Sequence, residues 1–321
     1  MNPAEPVRPR GPSRADGTTV AVLGGGVMAV SMANPLRRAG FALRLYNRTR
    51  SKLDRHIAPG DVVCATPQDA ARGAQLILAT VSDDAASRSV WTGPEGALKG
   101  AASGCVVMEC STLSADWIAR WARHARERGL RPVEAPVTGS RPRALDGSLI
   151  MFAGGTEQDL AVAEPVIRAL TERVYHFGPI GSATRFKLIN NMLAATMLAA
   201  FAEAMVSVRA LGLDTQAALD IMSTYGWATA VASGKGNQVV GDARVADCRL
   251  AILEKDIGHA VDLIMRSGTW LPLSWAAREQ YADALAQGLG DLDMAAIGRV
   301  YGLGSSSEIG KHQIGTRREV Q

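Results

Sequence analysis

Between residues 18 and about 180 the chain alternates short apolar, β-rich runs with longer stretches of helical spacing. The runs predict strands over residues 18–23, 42–46, 61–64, 75–81, 105–109 and 131–136, then 149–153 and 173–177. Several are almost unbroken, as in Leu76-Ile77-Leu78-Ala79. That is the pattern of parallel strands covered on both faces rather than of a half-solvated sheet. The intervals carry helical periodicity; over residues 114–127, Ile118, Trp121 and Ala125 fall on one side. Strand and helix in alternation predict an α/β fold with a doubly wound, Rossmann-type sheet.

After Gly178-Pro179 the strand pattern stops. A long helical pattern follows over residues 182–211, closed by Gly212 as a C′ glycine, and helices continue to about Tyr301. The expected organisation is an α/β domain over 18–180 and an all-α C-terminal domain over 181–303. The second includes the long interdomain helix. Residues 1–17 and 304–321, rich in Pro, Gly, Ser and charge, read as disordered tails.

The first strand ends at Leu23 and runs into Gly24-Gly25-Gly26-Val27-Met28-Ala29, a G-x-G-x-x-A pattern between a strand and an amphipathic helix. The first glycine makes the tight turn and the next of the pattern lets backbone approach a pyrophosphate. The small third residue lets the helix pack on the sheet, and the helix N-terminus faces the anion. In that context the loop predicts a dinucleotide. An NAD site would place Asp or Glu at the end of the second strand to hold the ribose 2′-OH. Here the strand runs out through Asn47-Arg48-Thr49-Arg50-Ser51-Lys52, with no acid. A guanidinium, a hydroxyl and an ammonium suit a 2′-phosphate, and basic residues are otherwise disfavoured where a helix begins. The expected cofactor is NADP(H), held by Leu23 to Met28 with Asn47, Arg48, Thr49 and Lys52.

Composition narrows the classes. The 321 residues are 47% hydrophobic and 21% charged, with formal net charge +4. Much of the basic excess lies in the tails, and aromatic residues make up only 5%, without a basic stripe interleaved with stacking rings. Nucleic-acid binding is therefore not expected. Cys64, Cys105, Cys110 and Cys248 lack metal spacing and suit a reducing compartment. The five histidines form no cluster, so no metal is expected, and no Ser-His-Asp motif supports hydrolysis. The N-terminus lacks the apolar run of a secretory signal. The stretch 192–208, interrupted by Thr196, Glu203 and Ser207, reads as too short and broken to cross a bilayer. The expectation is a soluble, cytoplasmic protein.

Two further segments carry candidate chemistry. Lys187 lies early in the long helix beside Phe186, Leu188 and Ile189, where desolvation would favour its neutral form. Asn191, four residues on, shares its face. A lysine that exchanges a proton with the substrate oxygen, beside an amide that orients it, suits carbonyl reduction; a solvated lysine on a polar face fits the residues equally. Thr138-Gly139-Ser140 follows a strand end, where ligands bind in open α/β sheets, and its hydroxyls and backbone N–H groups suit a carboxylate. An ordinary turn is an equal reading. Arg141 and Arg143 beside it could draw an anion, or be solvated.

The chain resembles the β-hydroxyacid dehydrogenase family from about Thr18 to Tyr301. Five elements in order carry the resemblance: the glycine loop with Met32-Ala33-Asn34 and Ala39-Gly40; Val81-Ser82-Asp83-Asp84 with Ser111-Thr112; Glu134 to Ser140 with Gly147 and Leu149; Lys187-Leu188-Ile189-Asn190-Asn191; and Lys255-Asp256. The resemblance implies hydride transfer between nicotinamide and a small carboxylate-bearing aldehyde or ketone, or its hydroxy acid. It implies Lys187 as acid/base and Asn191 in substrate binding, with Thr138, Gly139 and Ser140 at the substrate. Val81, Ser82 and Thr112 then line the nicotinamide half, and Lys255 lies near its ribose. Asp256 is expected to cap or salt-bridge. Asn47-Arg48-Thr49 and Lys52 resemble the NADPH-using glyoxylate and succinic semialdehyde reductases of the family. Thr138 stands where the family has serine, and Glu134 where it usually has aspartate. Imine reductases share the fold and loop but typically carry another residue in place of Lys187; a non-catalytic NADPH-binding protein is the rival of a different class. Family members commonly pair through the long helix. Here Met192, Ala195, Leu198, Ala199, Ala202, Met205 and Val206 form a stripe wider than one small domain covers, so a homodimer or larger homo-oligomer is expected.

Overall fold

The computed structural model describes residues 17–304 except Asp242, so the proposed tails lie, but for Gly17 and Gly304, outside the described residues. The chain forms two compact units. One holds the residues up to Leu193 with Lys255–Leu271; the other holds Ala194–Glu254 with the residues from Pro272 on.

The first unit is built on six parallel strands: β1 (Thr19–Leu23), β2 (Ala42–Tyr46), β3 (Val62–Val63), β4 (Leu76–Ala79), β5 (Val106–Glu109) and β6 (Arg131–Glu134). Their order, β3-β2-β1-β4-β5-β6, reverses direction between β1 and β4, which makes the sheet doubly wound. Helices α1 (Val27–Arg38), α2 (Pro67–Ala71), α3 (Asp84–Thr92), α4 (Ala115–Arg126), α5 (Ser140–Asp146) and α6 (Glu157–Leu170) follow the strands. β4 is buried along its whole length, as its unbroken apolar run requires. One face of the sheet packs Val20, Val22 and Met108 against Met32, Leu36 and Ile167. The other packs Ala21, Leu23, Ile77 and Val107 against Trp91, Ile118 and Trp121. α4 starts where Ser114 accepts from the Trp117 N–H, and Ile118, Trp121 and Ala125 are all buried.

A second, three-stranded sheet was not expected. β7 (Val137–Thr138) runs antiparallel to β8 (Leu149–Ala153), which pairs in parallel with β9 (Thr171–His176). The expected strand 131–136 ends at Glu134 as β6, and β7 lies beyond it: Ala135 and Pro136 turn the chain out of the large sheet, and Pro136 has no N–H for its ladder. The strands expected over 61–64 and 75–81 shorten to β3 and β4 as their ends become loops.

α7 (Ser182–Ala210) runs from the first unit into the second, and Gly212, at φ 69°, closes it. The second unit continues through α8 (Thr215–Thr224), short helices α9 (Thr229–Val231) and α10 (Asn237–Val240), the start of α11 (Leu250–Met265), α12 (Pro272–Ala286) and a 3-10 stretch, Met294–Tyr301. Its polar hub is Asp293, wholly buried, which pairs with Lys235 at 3.0 Å and accepts from the backbone N–H groups of Asp247 and Ala295. The architecture is a Rossmann-type sheet, a long helix and a helical C-terminal region.

The structure corrects the reading of α7 twice. Ala195, Leu198, Ala199, Ala202 and Met205, expected to need a partner, are buried within the chain itself. A different row, Phe186, Ile189, Leu193 and Met197, is exposed at helical spacing. The apolar stretch also belongs to a 29-residue helix, long and apolar enough by length and composition to cross a membrane. Length alone therefore does not exclude a span.

Candidate active site

Register gathers most of the candidate residues. Leu23, Tyr46, Ala79, Glu109 and Glu134 stand side by side across the sheet as the last residues of β1, β2, β4, β5 and β6. The segments that leave this row are Gly24–Met28, Asn47–Lys52, Thr80–Ser82, Cys110–Thr112 and Ala135–Ser140. Parallel strands place all of them at one edge of the sheet, the edge where open α/β sheets bind ligands.

In the glycine loop, Gly24 has φ 131° and its N–H donates to the Tyr46 carbonyl at 2.8 Å; a Cβ there would strike the Thr80 carbonyl oxygen. At Gly25 a Cβ would come within 2.6 Å of Asn47 Cγ, while Asn47 Nδ2 donates to the Thr49 carbonyl at 2.7 Å. Asn47 thus fits against the loop and shapes the turn that bears Arg48. Gly26 has open space where its side chain would be. It precedes an α1 whose first turn holds no acid and whose N-cap supplies no side-chain hydrogen bond. An open backbone at an uncapped helix start fits a pyrophosphate. Arg48, Thr49 and Lys52 are exposed in the turn after β2, with Lys52 in a 3-10 turn.

The loops after β4 and β5 are tied together. The Val81 N–H donates to Ser111 Oγ at 2.8 Å, and Asp84 accepts from both the N–H and the hydroxyl of Ser114 at 2.9 and 2.5 Å. Val81 and Thr112 are half-buried, and Ser82 is exposed. Lys255, from α11, donates to the Thr112 carbonyl at 2.5 Å and pairs with Asp256 at 2.7 Å. Asp256 is buried and its other oxygen accepts from Asn191 Nδ2 at 2.7 Å. The structure therefore joins Thr112, Lys255, Asp256 and Asn191 in one series. Because a carboxylate only accepts, it fixes the Asn191 amide with nitrogen toward Asp256 and Oδ1 away, where Asn190 Nδ2 lies at 3.3 Å.

Lys187 is buried, 6% exposed, one turn before Asn191 on the same face. Of its expected apolar neighbours only Leu188 is buried; Phe186 and Ile189, at i−1 and i+2, are exposed on other faces of the helix. Phe186 stacks on Phe177 at 4.4 Å and meets Phe152 edge-on at 4.8 Å, which fixes the start of α7 against the small sheet.

Glu134 does the same from the large sheet. It is wholly buried, and its carboxylate accepts from the N–H groups of Gly181, Ala183 and Thr184 and from Thr184 Oγ1 at 2.6 Å. A negative charge on the unsatisfied N–H groups of a helix start is favourable; its partner Thr184 stands three residues before Lys187, and Glu134 itself four before Thr138. Burial pushes its carboxyl above the usual range while these donors oppose the shift. In the sequence Glu134 stands out only as a departure from a family pattern, because its partners lie 47–50 residues away.

Thr138 ends β7 and Ser140 begins α5, with Gly139 at φ 126° and Ser140 at φ 55°, the left-handed region that a non-glycine residue seldom occupies. All three are half-buried. Arg143, read as a possible anion attractor, is already engaged with Glu172 at 3.1 Å and with the Ser148 carbonyl, and its stem lies against Gly139.

The family description "NAD binding domain of 6-phosphogluconate dehydrogenase" matches residues 19–178, and "NAD-binding of NADP-dependent 3-hydroxyisobutyrate dehydrogenase" matches residues 181–301. The chain is 31% identical to glyoxylate/succinic semialdehyde reductase 1 of Arabidopsis thaliana, over 87% of this chain and 96% of that one. It is 28% identical to the NAD-dependent L-serine dehydrogenase of Pseudomonas aeruginosa, over 88% and 97% of the two chains. In fold it is similar to 3-hydroxyisobutyrate dehydrogenase from Salmonella typhimurium, with TM-score 0.81, 24% identity and coverage of 88% and 99%. The glycine loop, the strand-end row and the Lys187–Asn191 helix thus stand in a chain that belongs to the β-hydroxyacid dehydrogenase family, oxidoreductases that act on CH–OH groups with a nicotinamide cofactor.

Proposed function

We propose that this protein is an NADP(H)-dependent oxidoreductase for a small carboxylate-bearing aldehyde or ketone and the corresponding hydroxy acid, with Lys187 as general acid/base. The observation that carries this reading is the buried Lys187 one turn from an Asn191 whose amide is fixed by Asp256. When bound, the nicotinamide supplies or accepts the hydride. Lys187 gives a proton to the substrate oxygen as negative charge develops there, and takes it back in the oxidative direction. Asn191, held from behind, turns Oδ1 toward a substrate hydroxyl without having to reorganise. Thr138 and Ser140, with the Gly139 backbone, supply donors for the carboxylate, and the strained φ of Ser140 fits a backbone shaped for a ligand. Glyoxylate and succinic semialdehyde, substrates in the name of the Arabidopsis relative, are the first compounds to test.

The cofactor preference rests on Arg48, Thr49 and Lys52, exposed beside the glycine loop, and on the lack of an acid at the end of β2. Loss of a hydrogen bond to a charged group costs about 1.5–3 kcal/mol, and the exposure of Arg48 favours the lower end, roughly a tenfold loss. Steady-state kinetics of Arg48→Ala should show that loss with NADPH and little change with NADH. An equal loss with both would remove the 2′-phosphate from the assignment.

Four free thiols fit a reducing cytoplasm, where we place the protein. The exposed row Phe186, Ile189, Leu193 and Met197 supports at least a dimer in place of the stripe that the chain covers itself. Light scattering at micromolar concentration should give twice the chain mass or more. A monomeric mass would refute the pairing.

A further inference from the structure

Glu109, the last residue of β5, is wholly buried and lies outside the roles assigned so far. Its Oε2 accepts from Ser87 Oγ and from Trp91 Nε1, both at 2.7 Å, and its Oε1 accepts from the Ser111 N–H at 2.9 Å. Ser87 Oγ in turn accepts from Trp117 Nε1 at 2.8 Å, and Ser111 Oγ accepts from the Val81 N–H at 2.8 Å. One carboxylate thus holds α3 on one side and the loop after β5 on the other, and through Ser111 it reaches the loop after β4. The residue next to Ser111 is Thr112, whose carbonyl begins the series through Lys255 and Asp256 to Asn191.

Joining α3 to the sheet does not require a charge. A buried carboxylate is costly to desolvate, and an apolar residue of similar volume would join the layers as well or better. Burial pushes the Glu109 carboxyl upward against the pull of its donors. What an apolar residue lacks is an acceptor for the Ser111 N–H, the group that sets where the loop turns.

We propose that Glu109 is a positioning residue: it fixes the Ser111–Thr112 backbone, and with it the wall at the nicotinamide half of the cofactor and the Thr112–Lys255–Asp256–Asn191 series behind the substrate amide. The proposal rests on the reading that Val81 and Thr112 line the nicotinamide half. Glu109 has N–H donors on both oxygens, and neither the Ser111 N–H nor Trp91 Nε1–H can accept. A neutral amide in its place must turn its NH₂ against one of them, so Glu109→Gln keeps the volume and breaks the bridge between Trp91 and the Ser111 N–H at one of its two ends.

The test compares full-length wild type, Glu109→Gln and Ser111→Ala for turnover, for affinity toward the whole cofactor and for affinity toward 2′,5′-ADP, which carries only the adenosine half. ADP replaces that probe if the wild type works with NADH. A wild type that turns over with neither cofactor would show failure of the underlying reading before any variant is measured. Expected for Glu109→Gln is a fall in kcat/KM of about tenfold, the scale of a lost charge-assisted hydrogen bond, with weaker binding of whole cofactor and unchanged binding of the adenosine half. Ser111→Ala, which removes the hydroxyl that ties the loop to Val81 and bonds Glu109 but keeps the Ser111 N–H, should show the same split at smaller size, and it decides the matter should Glu109→Gln fail to fold. Wild-type kinetics in the folded variants would overturn the proposal. So would equal weakening of whole cofactor and adenosine-half probe, the mark of a merely structural role.

Discussion

Replacing Lys187 by alanine is expected to lower turnover by about 10²–10⁴-fold, the usual contribution of a positioned general acid, while cofactor affinity stays close to that of the wild type. The two effects separate because Lys187 belongs to α7, whereas the residues assigned to the adenosine half follow β1 and β2. The side chain is buried, so its removal leaves a gap and some stability is lost. Cofactor titration of the folded variant, alongside single-turnover kinetics, distinguishes lost chemistry from lost structure. Near-normal turnover in a folded, cofactor-binding Lys187→Ala protein would take the lysine out of the mechanism.

The second large effect is expected in the substrate. Conversion of a keto or aldehyde acid to its methyl ester or amide should lower kcat/KM steeply, because the donors at Thr138, Gly139 and Ser140 would lose a charged acceptor. A fixed anion also orients the carbonyl, so remote binding becomes rate and part of the loss should fall on kcat. Thr138→Val keeps the shape and deletes the hydroxyl, and should narrow the gap between acid and ester. The informative panel sets glyoxylate and succinic semialdehyde against their uncharged analogues and against cyclic imines. Uncharged compounds reduced as well as the acids would remove the anion subsite, and faster reduction of cyclic imines would favour an imine reductase instead.

Much of this architecture is legible in the sequence because its determinants are local. The unbroken run Leu76-Ile77-Leu78-Ala79 demands a strand buried on both faces, and the helical spacing of Ile118, Trp121 and Ala125 demands one covered face. The glycine loop is recognisable because backbone at φ 131° and an approach to the Thr80 carbonyl leave no room for a side chain at Gly24. The turn after β2 is equally plain, since its charged residues stand at a fixed offset from that loop.

Other features depend on which distant residues meet, and no spacing announces them. The sequence shows an acid at 109, at 134 and at 256; only the fold gives them Ser87 and Trp91, the start of α7, and Asn191. A parallel strand needs a long crossover before it finds its neighbour, so the row formed by Leu23, Tyr46, Ala79, Glu109 and Glu134 exists only after sheet assembly. The stripe of α7 shows the same limit from the other side. Periodicity marks Ala195, Leu198 and Ala202 as a face that must be covered, but whether the chain or a partner covers it is a matter of tertiary packing. The strands, the long helix and the phosphate loop follow from the chain's local pattern, because steric freedom and hydrophobic period act over a few residues. The tertiary structure decided how the buried carboxylates are satisfied and which face of α7 remains open, because buried charge and apolar area are settled by neighbours tens of residues away.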